Sequence, residues 1–204
     1  MGTTGRVVGL DPSAGLLAVA REIADASDVG PRIEFHAGNA QHLPFPDASF
    51  DAAIAVTVLA HMHEGAAAIP ELIRVVRPGG RVGVFDFDAD MTILTHPDRE
   101  MTRRIVAAAA DATAVDGWLA RRLPALLAGS GLSDVRVRGF FPLDSDPNGF
   151  HVGLADRCAQ AALSSEAITA DECRRWLDEF RAELARGPVV AGRLHVFTWG
   201  RKPR

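Results

Sequence analysis

The sequence predicts an α/β fold in which helices flank a mostly parallel sheet. Strand-like and helix-like segments alternate along most of the chain, which is the pattern of repeated strand–helix–strand units. The segment Phe50–Leu59 is apolar almost throughout, as expected of a parallel strand buried on both faces. The 204 residues are enough for a hydrophobic core, so we predict a single domain over residues 1–204.

Turn residues and β-branched runs delimit the elements of the first half. The strand-like run Arg6–Leu10 ends at Asp11, and Pro12 and Ser13 then suit the first turn and the N-cap of a helix. Apolar residues recur at helical spacing after them. The elements predicted next are strands at Ile33–Ala37 and Phe50–Leu59, a helix at Ala66–Val76 ended by the "RPGG" turn at 77–80, and a strand at Arg81–Phe87.

The second half continues the alternation and then inserts a helical segment. The elements predicted there are helices at Asp98–Ala112 and Leu119–Ala128, a strand at Val135–Phe140, and a closing strand at Leu194–Gly200. Between the last two strands, residues 144–187 carry two helical patterns, and Thr169 and Glu172 have capping-box spacing at the start of the second. We predict that this insertion is a lid over an aromatic or lipid-like acceptor, although its apolar faces equally suit packing.

Composition excludes several classes of function. The net charge is −4 without a basic block, which argues against a nucleic-acid partner. No apolar run approaches the ~20 residues of a membrane span, and the N-terminus lacks the features of a secretory signal, so we predict a cytoplasmic protein. Cys158 and Cys173 are too few for a metal site and indicate reduced core residues.

Two polar residues follow strands where a nucleotide would bind. Ligands of open α/β sheets lie beyond the carboxyl ends of the strands. Asp11 stands at such an end, where a carboxylate accepts hydrogen bonds from ribose hydroxyls, although it equally suits an acid that starts a helix. Asn39, followed by Ala40, comes just after the next strand, and its amide can donate to and accept from an adenine edge or serve as a turn residue.

Histidines and acids follow the two buried strands. His61 and His63 come just after the strand Phe50–Leu59, where either could accept a proton from a hydroxyl nucleophile or lie in a solvated loop. Two histidines without a third ligand do not make a metal site. Asp86, Asp88 and Asp90 end the next strand, where they could hold a divalent ion or form a solvated strand end.

Taken in order, three stretches resemble class I S-adenosylmethionine-dependent methyltransferases of the small-molecule type. They are "GRVVGLDPSAGLLAVARE", "GNAQHLPFPDASFDAAIAVTVLAHMHE" and "ELIRVVRPGGRVGVFD", and a weaker likeness continues through "RRLPALLAGSGLSDVRV". The ubiquinone/menaquinone-biosynthesis-like group is the most similar in character. The resemblance implies a Rossmann-like sheet, S-adenosyl-L-methionine as cofactor and methyl transfer to a small-molecule acceptor; a homo-oligomer stays open.

The resemblance also implies roles for particular residues. The position of Asp11 binds the cofactor ribose, and that of Val56 contacts the cofactor largely through its backbone. The catalytic role stays with His61 or His63, and only for an oxygen nucleophile. The residues implied in cofactor binding are Asp11, Pro12, Ser13, Asn39, Ala40 and Val56.

The sequence departs from the family at its start. The first strand of the family and its glycine-rich loop should precede "GRVVGLD", but only Met1–Thr4 do so, so the fold is N-terminally truncated relative to the family. Either the sequence begins inside a longer reading frame, which we favour, or it is a remnant with weak or no activity. Since the absent strand is central, we expect the strands at Arg6 and Phe50 to pair directly, or the chain to be poorly stable and to self-associate.

Two other functions compete with methyl transfer. A nicotinamide-dependent oxidoreductase also places an acid after a strand, but the chain has no tyrosine, which excludes the Tyr-x-x-x-Lys pair of short-chain dehydrogenases. A non-catalytic partner subunit with a methyltransferase-like fold agrees with the absent glycine-rich loop.

Overall fold

The computed structural model describes residues 4–112 and 116–204; the first three residues of the segment before the first strand lie outside it. Strands and helices alternate as the sequence predicts. The elements are β1 (Val7–Asp11), α1 (Ala14–Asp25), β2 (Ile33–Ala37), β3 (Phe50–Val56), α2 (Ala68–Val75), β4 (Val76–Leu94), α3 (Arg99–Ala112), α4 (Leu119–Gly129), β5 (Ser133–Phe140), β6 (Leu143–Asp144), α5 (Leu154–Ser164), α6 (Ala170–Arg186) and β7 (Ala191–Arg201).

The strands form two sheets. β1 and β2 pair in parallel as a two-stranded sheet. The other sheet has five strands in the order β3-β4-β7-β5, with the short β6 also on β7. β3 is parallel to β4, whereas β7 is antiparallel to β4, β5 and β6, so β7 alone runs against the other strands of this sheet. The α/β fold with a mostly parallel sheet is therefore confirmed.

The gap between the two sheets is not closed by strand pairing. Within the described residues, β1 pairs only with β2 and β3 only with β4. Of the two expected outcomes, direct pairing of β1 with β3 is therefore wrong, and poor stability with self-association stays a prediction. Large apolar side chains are exposed on β3 and on α1, the helix that follows β1. Ile54 and Val56 on β3 are 57% and 50% exposed, and Leu16, Val19 and Ile23 on α1 are 62%, 52% and 68% exposed.

The loop between β2 and β3 holds the sheets together instead. Arg74 of α2 donates from its guanidinium to the carbonyl oxygens of Phe45 at 2.8 Å and Leu43 at 3.0 Å. The same guanidinium pairs with Glu71 at 2.7 Å, and this bond lowers the pKa of Glu71 to about 2. Leu43 and Phe45 pack against the core of the larger sheet. A polar clamp and local apolar packing thus substitute for a shared ladder.

Two core clusters stabilise the larger sheet and its helices. One lies between one face of β3 and β4 and the helices α2 and α4, and includes the fully buried Val82, Val84 and Leu123. The second joins α3, α5 and α6 around Trp176, which is 1% exposed. The segment predicted as a lid therefore packs mainly on α3.

The boundary between α2 and β4 differs from the prediction. The "RPGG" residues at 77–80 do not separate the helix from a later strand, because β4 begins directly after α2, at Val76. Gly79 lies at φ +79°, a conformation that glycine adopts without steric cost, and its N–H donates to the carbonyl of Lys202 at 2.8 Å. The Lys202 ammonium donates to the carbonyls of Ile73 and Val76, each at 2.8 Å, and so caps the end of α2.

Other local predictions hold. Ser13 is the N-cap of α1, and Thr169 and Glu172 form the predicted capping box of α6. Cys158 and Cys173 are free and buried in the helical core. In the parts of the chain that the structure describes, no helix is both long and apolar enough to cross a bilayer.

Candidate functional site

The carboxyl end of β1 presents Asp11 beside the start of α1. Its Oδ1 accepts a hydrogen bond of 2.7 Å from the backbone N–H of Ser13, and the Ser13 hydroxyl accepts one of 3.3 Å from the N–H of Leu16. One carboxylate oxygen of Asp11 thus stabilises the start of α1. Among the described residues, its Oδ2 has no hydrogen-bond donor, so the second oxygen can accept from a ligand.

The carboxyl end of β2 brings Asn39 next to Asp11. Asp11 and Ala37 are partners in the parallel ladder, and the N–H of Gly38 donates to the Asp11 carbonyl at 3.2 Å. Asn39 is exposed and its Oδ1 accepts from the N–H of Gln41 at 2.9 Å, as in an Asx turn. The structure therefore gathers five of the six residues predicted to bind the cofactor at one sheet edge: Asp11, Pro12, Ser13, Asn39 and Ala40.

Val56, the sixth predicted residue, ends β3 in the other sheet. It is the ladder partner of Phe85 on β4. The next residue, Thr57, lies at φ +49° and donates its N–H to the carbonyl of Phe85 at 2.7 Å. A left-handed backbone is an outlier for a β-branched residue, and such strain concentrates at functional sites. The carboxyl end of β3 therefore has a strained backbone that sequence patterns do not reveal.

The turn after β3 carries His61 and is held by a buried acid. Asp86 is fully buried, and its Oδ2 accepts from the N–H of Ala60 at 3.0 Å while its Oδ1 accepts from the N–H of Phe87 at 3.0 Å. Burial raises the pKa of Asp86, and the two backbone donors oppose that rise. The His61 ring lies 5.2 Å from that of Phe87. Asp86 is thus a positioning residue for this turn.

His63 is exposed and lies beside the loop that carries Asn39. Its backbone carbonyl accepts from the side-chain amide of Gln41 at 2.8 Å. This bond joins the turn after β3 to the loop after β2 across the gap. The loop that carries Asn39 and the turn that carries both histidines are therefore connected by a hydrogen bond.

Protein groups already engage the acids that end the predicted strand at Arg81–Phe87. Asp88 is 3% exposed and accepts from the guanidinium of Arg121, whose Nη2 is 2.9 Å from Oδ1. Asp90 accepts from the same group at 3.3 Å. The hydrogen bonds with Asp88 are the main cause that raises the pKa of Arg121. These acids are therefore neither a solvated strand end nor a set of open metal ligands.

An aromatic cleft, which sequence analysis did not find, lies beside the carboxyl end of β3. Its volume is about 560 Å³, within the range of small-molecule sites. Phe85 lines it and is the ladder partner of Val56, so the cleft adjoins the predicted cofactor edge of β3. The residues that line the cleft are Phe85, Phe140, Phe141, Pro142, Phe150, His151 and His195.

Two histidines supply the polar groups of this cleft. The ring of His195 stacks on that of Phe85 at 5.2 Å. Its Nδ1 lies 3.1 Å from the carbonyl oxygen of Arg193; since a carbonyl only accepts, Nδ1 carries the proton and Nε2 has the lone pair. Burial lowers the pKa of His195. Among the residues that the structure describes, the buried Nε2 of His151 has no hydrogen-bond partner.

Sequence comparison relates the chain to methyltransferases. A family model described as a methyltransferase domain matches residues 1–84. An uncharacterized protein from a Streptomyces fradiae transposon is 31% identical over 189 residues, which are 92% of this chain and 53% of that protein. A ubiquinone/menaquinone biosynthesis C-methyltransferase from Hahella chejuensis is 40% identical over 87 residues, 43% of this chain and 35% of that protein. The chain thus spans about half, or less, of the length of these relatives.

Solved structures share the fold. The YcgJ protein of Bacillus subtilis matches 98% of this chain and 83% of its own, with a TM-score of 0.61 and 18% identity. The S-adenosyl-L-methionine complex of Haemonchus contortus phosphoethanolamine N-methyltransferase 2 matches 98% of this chain and 44% of its own, with a TM-score of 0.55 and 16% identity. At these identities the likeness concerns the fold alone.

The fold is that of a Rossmann-like domain. Residues 1–84 match a methyltransferase domain. The matched domain and the curated relatives support the likeness to class I S-adenosylmethionine-dependent methyltransferases that the sequence resemblance implied. S-adenosyl-L-methionine is the cofactor of that class.

Proposed function

We propose that the chain is the catalytic domain of an S-adenosylmethionine-dependent methyltransferase that acts on a small-molecule acceptor. The observation that carries this proposal is the pairing of Asp11 with the Asn39 loop at one sheet edge. The aromatic cleft lies beside β3, on the other side of the gap. A cytoplasmic location and a homo-oligomer are parts of the same proposal.

The residues at the β1–β2 edge fit the adenosine half of the cofactor. The free Oδ2 of Asp11 can accept from ribose hydroxyls, and the exposed amide of Asn39 can both donate to and accept from a base edge. Pro12, Ser13 and Ala40 complete the small walls of this edge. When bound, the cofactor supplies an activated methyl group on a sulfonium, so that the protein mainly has to orient the reactants and exclude water.

The amino-acid end of the cofactor has no evident support in the described residues. No glycine-rich loop follows β1 or β3 there, and the gap lies between these two strands. We therefore propose that the 204-residue chain binds the cofactor weakly, and that a strand in the gap with a glycine-rich loop would strengthen binding.

Proton transfer enters the proposal only for an oxygen nucleophile. His61 or His63 would then act as the general base, and their turn is held by Asp86 and by the amide of Gln41. An activated carbon nucleophile would need neither histidine. The helical segment 144–187 is proposed to influence acceptor choice through Phe150, which is 67% exposed.

Calorimetry tests the proposal. S-adenosylhomocysteine and NAD are titrated into the 204-residue protein and into a version extended at its N-terminus by a strand and a glycine-rich loop. Binding of S-adenosylhomocysteine but not of NAD, with much higher affinity in the extended protein, supports it. If neither protein binds S-adenosylhomocysteine, the proposal is wrong; equal, tight binding by both refutes the impairment.

A second candidate function, that of a non-catalytic partner subunit, has one observation in its favour. Within the described residues, β1 and β3 each have an edge without a paired strand, and Ile54 and Val56 on β3 are exposed. Such edges are suited to strand addition from another chain. A protein of this kind would form a stable complex with a second polypeptide and would not bind S-adenosylhomocysteine in that complex. The same titration on the complex therefore separates the two functions.

A further inference from the structure

The structure assigns the aromatic cleft an acceptor class and a polar contact. We propose that the cleft binds a planar aromatic ring that carries a hydroxyl group, and that this hydroxyl donates its hydrogen to Nε2 of His195. The inference rests on the proposed methyltransferase function, and it makes His195 a rival of His61 and His63 as the group that receives the acceptor's proton.

The walls of the cleft suit a ring better than an acyl chain. The rings of Phe85 and Phe140 lie 6.0 Å apart with an interplanar angle of 57°, and Phe85 stacks on His195 with planes 9° apart. Phe150 stands at the mouth, 67% exposed, with the Arg157 guanidinium 4.6 Å from its ring centre. Aromatic rings attract one another most in offset or edge-on arrangements. A flat ligand can stack on these faces and cover the exposed Phe150.

The polar groups of the cleft are prepared for a hydroxyl. The carbonyl of Arg193 fixes the tautomer of His195, so its Nε2 can only accept. Burial lowers the pKa of His195, which keeps the ring neutral and its lone pair available at neutral pH. Within the described residues, the buried Nε2 of His151 has no hydrogen-bond partner, and such a group costs free energy. The rings of His151 and His195 lie 6.3 Å apart.

The position of the cleft agrees with the proposed chemistry. Phe85 lies beside Val56 at the carboxyl end of β3, where the strained Thr57 follows. A hydroxyl oxygen bound to His195 would therefore lie near the strand end that faces the cofactor in the proposed function. In the proton transfer, the O–H bond breaks, the proton moves to Nε2, and an aryloxide and an imidazolium form. The imidazolium returns the proton to water once the aryloxide has reacted.

The test uses 4-nitrophenol and its methyl ether, 4-nitroanisole, on the 204-residue protein without cofactor. The phenol reports its own ionisation, because its phenolate absorbs visible light. We expect the phenol to bind about 2- to 10-fold more tightly than the ether, the effect of one hydrogen bond, and its phenolate band to shrink on binding, because the neutral phenol is the form that donates to Nε2. His195→Phe keeps a ring but removes the acceptor, so it should bind the phenol and the ether about equally.

Two further variants separate the cleft from the rest of the protein. Phe150→Ala should weaken binding of both probes about equally, because it removes an exposed ring from the mouth. His42→Gln, which changes an exposed histidine of the loop between β2 and β3, is the matched control and should change neither binding nor the band. Melting temperatures show that each variant is folded.

Three results would overturn the inference. They are equal binding of phenol and ether, an unchanged preference for the phenol in His195→Phe, and displacement of 4-nitrophenol by decanoate at concentrations at which 2-naphthol does not displace it. Calorimetry with S-adenosylhomocysteine is independent of these results. If the nucleotide binds and the phenol does not, the inference fails and the proposed function stands; if the phenol binds and no nucleotide does, even in the extended protein, the proposed function fails.

Discussion

The open edge of β3 predicts self-association of the 204-residue chain. Full burial of an isoleucine or valine side chain contributes about 1.5–3 kcal/mol. Ile54 and Val56 keep 57% and 50% of their surface exposed. By that scale, covering both side chains would make the free energy of association about 2 kcal/mol more favourable, without counting hydrogen bonds between strands. That gain is roughly a 30-fold change in a dissociation constant, and the unpaired backbone groups of the edge act in the same direction.

The perturbation is Ile54→Lys, with Ile93→Lys as its matched control. Both isoleucines are exposed, at 57% and 44%, but Ile93 lies in the part of β4 that pairs with β7 rather than with β3. Sedimentation velocity over a range of concentrations measures association. We expect the unmodified chain and Ile93→Lys to associate, and Ile54→Lys to associate at least about 10-fold more weakly, with little change in melting temperature.

A chain that stays monomeric and melts cooperatively at every concentration would refute this reasoning. It would show that the clamp of Arg74 on the loop between β2 and β3 stabilises two separate sheets without help from another chain. Association that Ile54→Lys and Ile93→Lys weaken equally would also contradict it, because the edge of β3 would then not be the contact.

Three further predictions concern single side chains. Asp11→Ala should weaken S-adenosylhomocysteine binding in calorimetry by about 30- to 150-fold, or 2–3 kcal/mol, while the protein stays folded; unchanged affinity would remove Asp11 from the site. Asp86→Asn removes a carboxyl whose pKa is raised above 3.8 by burial. As the pH rises from 3.8 through the raised pKa, the unmodified chain should lose stability relative to the variant in denaturant titrations. Parallel pH profiles of the two proteins would contradict the shift. Trp176→Ala should cost about 3–5 kcal/mol of unfolding free energy without changing 4-nitrophenol affinity, and an altered affinity would connect the helical core to the cleft.

Sequence patterns sufficed where structure is local. The caps at Ser13 and Thr169 follow from side chains a few residues from their acceptors, and the strand Phe50–Val56 follows from its composition. The expectation that this strand is buried on both faces is wrong, because only Ala55 of it is buried. The length of β4 was not predictable, because its pairing with β7 extends it to Leu94. Long-range pairing decides such boundaries.

In the candidate site, too, the residues that follow from local patterns were predictable and those that depend on tertiary packing were not. Asp11 and Asn39 were predictable because each directly follows a strand, and neighbouring parallel strands bring such positions together. Neither the partner of Asp88 nor the aromatic cleft was predictable. Arg121, which pairs with Asp88, lies on α4, and the cleft brings Phe85 on β4 against His195 on β7. Those contacts depend on tertiary packing and leave no periodic trace in the sequence.

The position of β7 has a consequence for how the chain folds. β4 and β5 are not neighbours; each hydrogen-bonds to β7, which follows both of them along the chain after α5 and α6. During synthesis the larger sheet therefore stays in two parts until β7 has left the ribosome, and Lys202 can cap α2 only after that. Contacts of such high sequence separation slow folding, and the waiting strands expose edges that favour aggregation. Insertion of β7 is therefore the step at which we expect a chaperone to matter most.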